Sequence, residues 1–263
     1  MSSVRWDPGQ YLRFANERTR PLHDLLARVP VLPREPASTI LDMGCGPGNS
    51  TQVLRRRWPE ARIIAVDSST DMLAAARTAG EPTADYVLAD ARQFDVAAVM
   101  PDLIVSNAML HWVPDHRELL LRWAAALRPG ASLAVQVPGN FTAPNHTLLA
   151  GLTRTRRWNR VLSGIMDGFS VIEPAEYVET LAGADCTVDA WETTYSILLS
   201  GPDAVLEWAM GTGLRPVLTR LDDPEERDRF LAAYSALLRD AYPVGPHGTV
   251  FPFRRIFAVA TRR

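Results

Sequence analysis

The sequence predicts a doubly wound α/β sheet of seven mostly parallel strands with a helical insertion. Three observations predict it. Short apolar runs alternate with amphipathic stretches of helical length from residue 38 to residue 138. A glycine-rich turn joins the first of these runs to the first helix. After Pro138 the alternation gives way to helix and loop, and two further strand-like runs follow. Such alternation is the signature of a parallel sheet covered on both faces.

Each element has its own signal. Residues 1–38 form a lead-in with a helical stretch from about 9 to 29, its apolar letters Tyr11, Leu12, Phe14, Leu22, Leu25, Leu26 and Val29 keeping helical spacing. Pro30, Pro33 and Pro36 end it. STILDM (38–43) reads as a buried strand, GCGPGN (44–49) as a turn and STQVLRRRWP (50–59) as a helix stopped at Pro59. RIIAVD (62–67), DYVLAD (85–90), PDLIVSNA (101–108) and SLAVQVP (132–138) are the next strands. SSTDMLAAARTA (68–79) and DHRELLLRWAAAL (115–127) are helices between them. WETTYSILL (191–199) and TVFPFRRIFAVATRR (249–263) close the set. The expected organisation is a lid segment at 1–38, a ligand-binding core at 39–140, helical cap elements at 141–190 and 202–242, and strands at 191–201 and 243–263 that complete the sheet.

Composition removes several function classes. The net charge is −2, with 28 basic against 30 acidic residues, and no basic tract is present, which argues against a nucleic-acid binder. Every basic residue is Arg, so Schiff-base chemistry and a phosphate-binding lysine are excluded, and an anion site must use Arg, His or backbone N–H groups. Cys45 and Cys186 belong to no CxxC pair; neither a disulfide framework nor a metal site is expected. The start lacks the apolar core of a signal peptide and no run is long enough to span a bilayer, so a soluble cytoplasmic protein is expected, with no membrane partner. Oligomeric state leaves no mark on the sequence.

The sharpest motif is Asp42-Met43-Gly44-Cys45-Gly46-Pro47-Gly48-Asn49, placed between a strand and a helix. Glycines let the backbone turn tightly and approach a ligand, and the helix N-terminus behind them offers unpaired N–H groups. A dinucleotide fingerprint needs glycine at position 49, which is Asn49. Asp67, Asp90 and Asn107 close the second, third and fourth predicted strands. One acid at a strand end is commonly a helix cap or a solvated turn. Acids at successive strand ends behind a glycine turn gather where open α/β sheets bind ligands.

The D-x-G-x-G-x-G pattern resembles the first motif of the class I S-adenosylmethionine-dependent methyltransferases, which have a Rossmann-like fold. That resemblance implies S-adenosyl-L-methionine as cofactor and S-adenosyl-L-homocysteine as product. It assigns the glycine turn to Asp42, Gly44, Gly46 and Asn49, the ribose hydroxyls to Asp67, the adenine amino group to Asp90 and the methionine moiety to Asn107, with Ser68, Met72 and Ala91 as further cofactor contacts. Tyr11 and Arg20 would cover the cofactor from the lead-in.

A closer resemblance spans nearly the whole chain. W-D-P-x-x-Y-L-x-F (6–14), E-R-T-R-P (17–21), L-H-W-V-P-D-H (110–116), L-A-V-Q-V-P-G-N (133–140), W-E-T-T-Y (191–195), E-W-x-x-G-T-G-L-R-P (207–216) and F-R-R-x-F (253–257) are similar to the trans-aconitate 2-methyltransferase family. It implies the monomethyl esterification of a small unsaturated tricarboxylate. A carboxylate is already ionised at neutral pH, so no general base is needed; positioning and charge placement remain. Arg is the natural clamp for spectator carboxylates. Trp6, Arg18, His111, Gln136, Asn140, Tyr177, Arg215 and Arg255 are the expected substrate contacts, with His111, Trp112, Gln136 and Asn140 positioning the acceptor. Arg254 and Arg255 are adjacent in a predicted strand, so at most one should line the pocket. The alternative is the same cofactor with a hydroxyl, amine or carbon acceptor, which would want a poised base such as His111.

Overall fold

The computed structural model describes residues 15–79, 81–114, 116–167 and 171–263, the side chains of 15–18 and 79 apart. Their contacts divide them into two compact units. The sheet unit holds Ala15–Gly139, Ser170–Thr193 and Arg255–Arg263; the helical unit holds Asn140–Phe169 and Thr194–Arg254.

The strands are β1 (Thr39–Met43), β2 (Arg62–Asp67), β3 (Asp85–Leu88), β4 (Leu103–Asn107), β5 (Ser132–Pro138), β6 (Cys186–Leu199) and β7 (Thr249–Arg262). They form one seven-stranded sheet in the order β3-β2-β1-β4-β5-β7-β6. β1 pairs in parallel with β2 and β4, β2 with β3, and β4 with β5, whereas β7 runs antiparallel to β5. The reversal of strand order beside β1 puts a crevice at the carboxyl ends of β1 and β4, the usual ligand position of an open α/β sheet.

The helices of the sheet unit are α1 (Ala15–Ala27), α2 (Asn49–Arg57), α3 (Thr70–Ala79), α4 (Val96–Val99), α5 (His116–Ala126) and α8 (Pro174–Ala182). In the central strands Leu41, Met43, Ile104, Leu133, Val135, Ile256 and Ala258 pack with Leu120 and Trp123 of α5 and Tyr177 and Leu181 of α8. Full burial of each such aliphatic side chain contributes about 1.5–3 kcal/mol. The register puts Asp42, Val105, Asn107 and Gln136 on the opposite face. Helix α8 therefore belongs to the core of the sheet unit, not to the cap the sequence reading gave it, because Tyr177 and Leu181 bury completely there. Residues 15–38 likewise belong to the sheet unit, with Leu22, Leu25, Leu26 and Val29 of the lead-in buried.

The helical unit contains α6 (Pro144–Thr153), α7 (Asn159–Leu162), α9 (Ala204–Met210), α10 (Arg215–Arg220) and α11 (Pro224–Ala241). Its core is aromatic: Trp158, Trp208, Phe230, Tyr234, Tyr242, Phe251 and Phe253. The buried hydroxyls are satisfied, Tyr234 donating to the Asn145 carbonyl at 2.6 Å and Tyr242 to Asn145 Oδ1 at 3.2 Å. Among the described residues, no helix is long and apolar enough to cross a membrane.

Two polar devices tie the sheet unit together. At the amino ends of β1 and β4, the fully buried Asp102 carboxylate accepts from the Thr39 N–H at 2.8 Å and from Arg34 Nη2 at 2.8 Å, and forms an ion pair with Arg128 Nη2 at 3.2 Å. At the sheet's outer edge, Arg28, in the turn that follows α1, lies 3.9 Å over the Trp191 ring while bonding Asp189 at 2.9 Å, and Trp191 stacks on Phe257 at 4.8 Å. Asp102→Ala would strand the Thr39 N–H and take the carboxylate from two guanidiniums that keep their bonds to the Met100 carbonyl. The expected loss is about 2–3 kcal/mol, at the lower end for a broken buried pair because the two Arg side chains keep solvent contact. Urea unfolding of the variant measures it.

Candidate active site

Parallel pairing brings the carboxyl ends of the central strands together. Met43 stands beside Val66, Asp67 beside Leu88 and Asn107 beside Gln136. The glycine turn follows β1. Its Gly44 and Cys45 N–H groups donate to the Val66 carbonyl at 2.8 and 3.1 Å. Gly46 N–H donates to Asp67 Oδ2 at 2.9 Å, and Ser69 N–H to Oδ1 of the same carboxylate at 2.8 Å. Asp67 thus holds both its own turn and the glycine loop. Burial raises its pKa, against the lowering effect of these backbone donors.

The glycines serve different ends. Gly44 has φ +79°, and a Cβ there would lie 2.4 Å from Met109 Cγ, so packing requires the glycine. Gly46 has φ +53°, yet a Cβ would meet nothing within 4 Å. The loop therefore faces open space at Gly46, as an approaching ligand needs. Gly48, at φ 91°, caps α2.

Asp42 is completely buried. Ser50 and Thr51, in the first turn of α2, both donate hydroxyls to its Oδ2 at 2.7 Å, while Oδ1 has no partner. Burial pushes its pKa up to about 6, partly offset by those two hydroxyls. Ser50 and Thr51 escaped the sequence reading; the signal was two hydroxyl residues in the first helical turn after a strand that carries an acid.

On the other side of β1, Asn107 ends β4 with its Oδ1 buried and unpartnered. Ala108 follows at φ 55°, its N–H bonded to the Gln136 carbonyl at 2.8 Å. The chain then enters a 3₁₀ turn, Leu110–Trp112, where the His111 and Trp112 rings lie 5.1 Å apart. His111 is buried and Trp112 half-buried. Gln136 and Arg255 are buried together, with Arg255 Nη1 donating to Gln136 Oε1 at 3.4 Å. Arg255 pairs with Pro138, so alternation along β7 resolves the Arg254–Arg255 choice in favour of Arg255 on this face.

Several expected residues are placed differently. Trp6 and Tyr11, and the side chain of Arg18, lie outside the described residues. Arg20 is exposed on α1. Ser68 is exposed, Asn49 and Ala91 are half-buried, and Met72 is buried in the first turn of α3. β3 ends at Leu88, not at Asp90, because its partner β2 ends at Asp67. Asp90 opens the following turn and is engaged by Arg92, whose Nη2 reaches Oδ2 at 2.5 Å and whose backbone N–H reaches Oδ1 at 2.8 Å. That pairing holds the Asp90 carboxyl below the usual range. Tyr177 is not a pocket residue: it is fully buried in the apolar core, stacked with His116 at 6.5 Å, which corrects the expectation of a substrate contact. Asn140 and Arg215 fall in the helical unit, Asn140 buried with neither side-chain amide atom bonded, and Arg215 half-buried at the start of α10.

A methyltransferase-domain model matches residues 40–130, the span that carries the glycine turn, Asp67, Asp90 and Asn107. Over 98% of its length the chain is 52% identical to a trans-aconitate 2-methyltransferase of Streptomyces coelicolor, covering 86% of that protein. Identity is 49% to the Rhodococcus jostii enzyme of the same name, across 97% of this chain and 98% of that one. The chain belongs to the trans-aconitate 2-methyltransferase family. Solved methyltransferases share the fold at lower identity. A putative methyltransferase from Bacillus halodurans superposes with a TM-score of 0.55 at 17% identity, over 92% of this chain and 99% of that one. Phosphoethanolamine N-methyltransferase 2 of Haemonchus contortus, solved with S-adenosyl-L-methionine, gives 0.55 at 16% identity, over 97% of this chain and 56% of that one.

In this family member the buried Asp42 makes a testable contribution to stability. Its folded pKa of about 6 lies above the ordinary carboxyl value, so the folded state keeps a proton that the unfolded chain has lost. Stability from this group is therefore greatest below the unfolded pKa and falls as pH rises towards and through the folded one. Between pH 4.5 and 7.5 the loss is about 2 kcal/mol. Urea unfolding of wild type and Asp42→Asn at both pH values should show the variant gaining by that amount at the higher pH.

Proposed function

We propose that the protein transfers the methyl group of S-adenosyl-L-methionine to a carboxylate of trans-aconitate, or of a closely related small polycarboxylate, to give a monomethyl ester. The observation that carries this reading is the identity of about half to enzymes of that name across nearly the whole chain, well beyond the 40–130 span of the methyltransferase-domain model.

The chain's residues suit the cofactor. The open space at Gly46 admits a ligand against the loop. Each Asp67 oxygen accepts one backbone N–H and keeps a lone pair for a ribose hydroxyl. Ser68 and Met72 follow on the same turn and helix. The unpartnered Asn107 Oδ1 is an acceptor for the cofactor's ammonium group. Asp90 would take the adenine amino group in place of one Arg92 bond, with the Ala91 backbone beside it. Arg20 and Tyr11 would complete the cover from the lead-in, and Trp6 and Arg18 would add to the substrate side.

When bound, the cofactor supplies an electrophilic methyl on a sulfonium. The residues of the chain orient and desolvate the acceptor. A carboxylate needs no proton removed, so His111 and Trp112 serve as a wall and a hydrogen-bonding edge. Arg255 supplies positive charge behind the Gln136 amide that faces the substrate. Opposite charges on nucleophile and sulfonium cancel during transfer, so exclusion of water favours it.

Turnover of S-adenosyl-L-methionine should be measured with trans-aconitate, cis-aconitate, isocitrate and citrate, with products identified by mass and NMR. A monomethyl ester formed fastest from trans-aconitate is expected; no ester from any of the four would reject the reading. His111→Ala should cost only a few-fold in kcat. A loss of several orders of magnitude at constant KM would instead indicate a general base and a different acceptor. Asp67→Ala should weaken cofactor binding by about 1–3 kcal/mol in calorimetry, since charge-assisted bonds are lost.

A further inference from the structure

The register sets Asn107, Gln136 and Arg255 on one face of three adjacent strands, close to the carboxyl ends of β4 and β5, since Asn107 pairs with Gln136 on β5, and Gln136 and Pro138 pair with Phe257 and Arg255 on β7. Gln136 is 1% exposed. An amide can present either its oxygen or its NH₂ in a given direction, and only its neighbours decide which. Here the neighbour is a guanidinium, which has donors and no acceptor. Arg255 Nη1 therefore takes Oε1, and Nε2 is turned away, buried and without a partner. A flipped amide would set donor against donor and leave a buried oxygen orphaned instead.

The strand beside it carries the opposite polarity. Asn107 Oδ1 is a buried acceptor without a partner, next to the Gln136 donor. Two orphaned groups of opposite sense, side by side at the strand ends, are costly unless a ligand satisfies both. The acceptor suits a cationic or N–H-bearing group; the donor suits an anion.

We propose that Gln136 is a specificity-determining residue that reads a substrate carboxylate through its Nε2 donors, and that Arg255 is the positioning residue that fixes the polarity of that amide. The inference rests on the polycarboxylate reading given above and refines it: a site that offers N–H donors disfavours an ammonium in the same place and bonds a carboxylate oxygen more strongly than a neutral hydroxyl, which lacks the charge. Ester and amide analogues keep an acceptor oxygen but lose the charge that strengthens the bond.

The test uses the full-length protein with S-adenosyl-L-homocysteine bound, and reads trans-aconitate binding by calorimetry beside steady-state kinetics. Gln136→Glu and Gln136→Leu both remove the donors. Each should weaken trans-aconitate binding and raise KM by about 10- to 100-fold, as for loss of hydrogen bonds to a charged group, with cofactor affinity within threefold of wild type. Arg255→Gln should raise KM with little change in kcat and reduce the preference for trans-aconitate over its monomethyl ester. Arg255→Lys, again a donor-only neighbour, should recover part of that preference. Thermal melting identifies any variant that fails to fold, and the second Gln136 substitution then carries the comparison. Wild type binding trans-aconitate with either folded Gln136 variant binding it equally well overturns this inference alone. Wild type failing to bind any of the polycarboxylates overturns it together with the functional reading.

Discussion

The Asp67 carboxylate is the joint on which the site depends. It ends β2, yet its bonds reach across to the Gly46 N–H after β1 and forward to the Ser69 N–H of its own turn. One side chain thus fixes the loop from one strand and the turn from the next. The loop can be rich in glycine, and hence open to a ligand, without being loose. Met109 closes the other side, because Gly44 leaves it room. The conformational freedom of these glycines is used for approach at Gly46 and for packing at Gly44.

Charge is placed with the same economy. Asp42 is buried between two hydroxyls with no cation bonded to it, and burial raises its pKa as a result. Arg255, by contrast, is a buried guanidinium that donates to the Gln136 amide oxygen. The carboxyl end of β1 thus carries a buried acid, and the carboxyl end of β5 has the buried guanidinium of Arg255 beside it, on the antiparallel β7. That suits a reaction that brings a cationic donor and an anionic acceptor together, where each charge must be held before the two neutralise. At the opposite end of the sheet, Asp102 with Arg34 and Arg128 shows the contrasting arrangement, a carboxylate fully met by its partners and given to architecture.

The strand–turn–helix rhythm was legible because periodicity and glycine position are local properties. RIIAVD and SLAVQVP occupy the ranges that their letters suggest. Strand length was less so: β3 stops at Leu88 because its partner stops, a fact that belongs to β2 and not to DYVLAD. Side-chain commitments were the least legible. Nothing in the letters says that Arg92 takes Asp90, although two residues separate them, or that Tyr177 stacks on His116 in the core and leaves the surface altogether. The aromatic at helical spacing followed the commoner outcome, burial against a neighbouring helix. Alternation along β7 did foretell that Arg254 and Arg255 would part, since a strand offers its two faces in turn.

The stack of Arg28, Trp191 and Phe257 has a consequence for the outermost strand. β6 spans fourteen residues and stands at the end of the sheet order, where unsatisfied backbone groups would invite another chain to add itself. Arg28 lies over Trp191 and is bridged to Asp189, so two side chains of that edge are held by the turn after α1 of the same chain. A foreign strand docking on this stretch would meet a paired carboxylate at Asp189 and a further one at Glu192. The contact that fastens the turn after α1 to the sheet thereby also covers part of an edge that would otherwise be open to another strand.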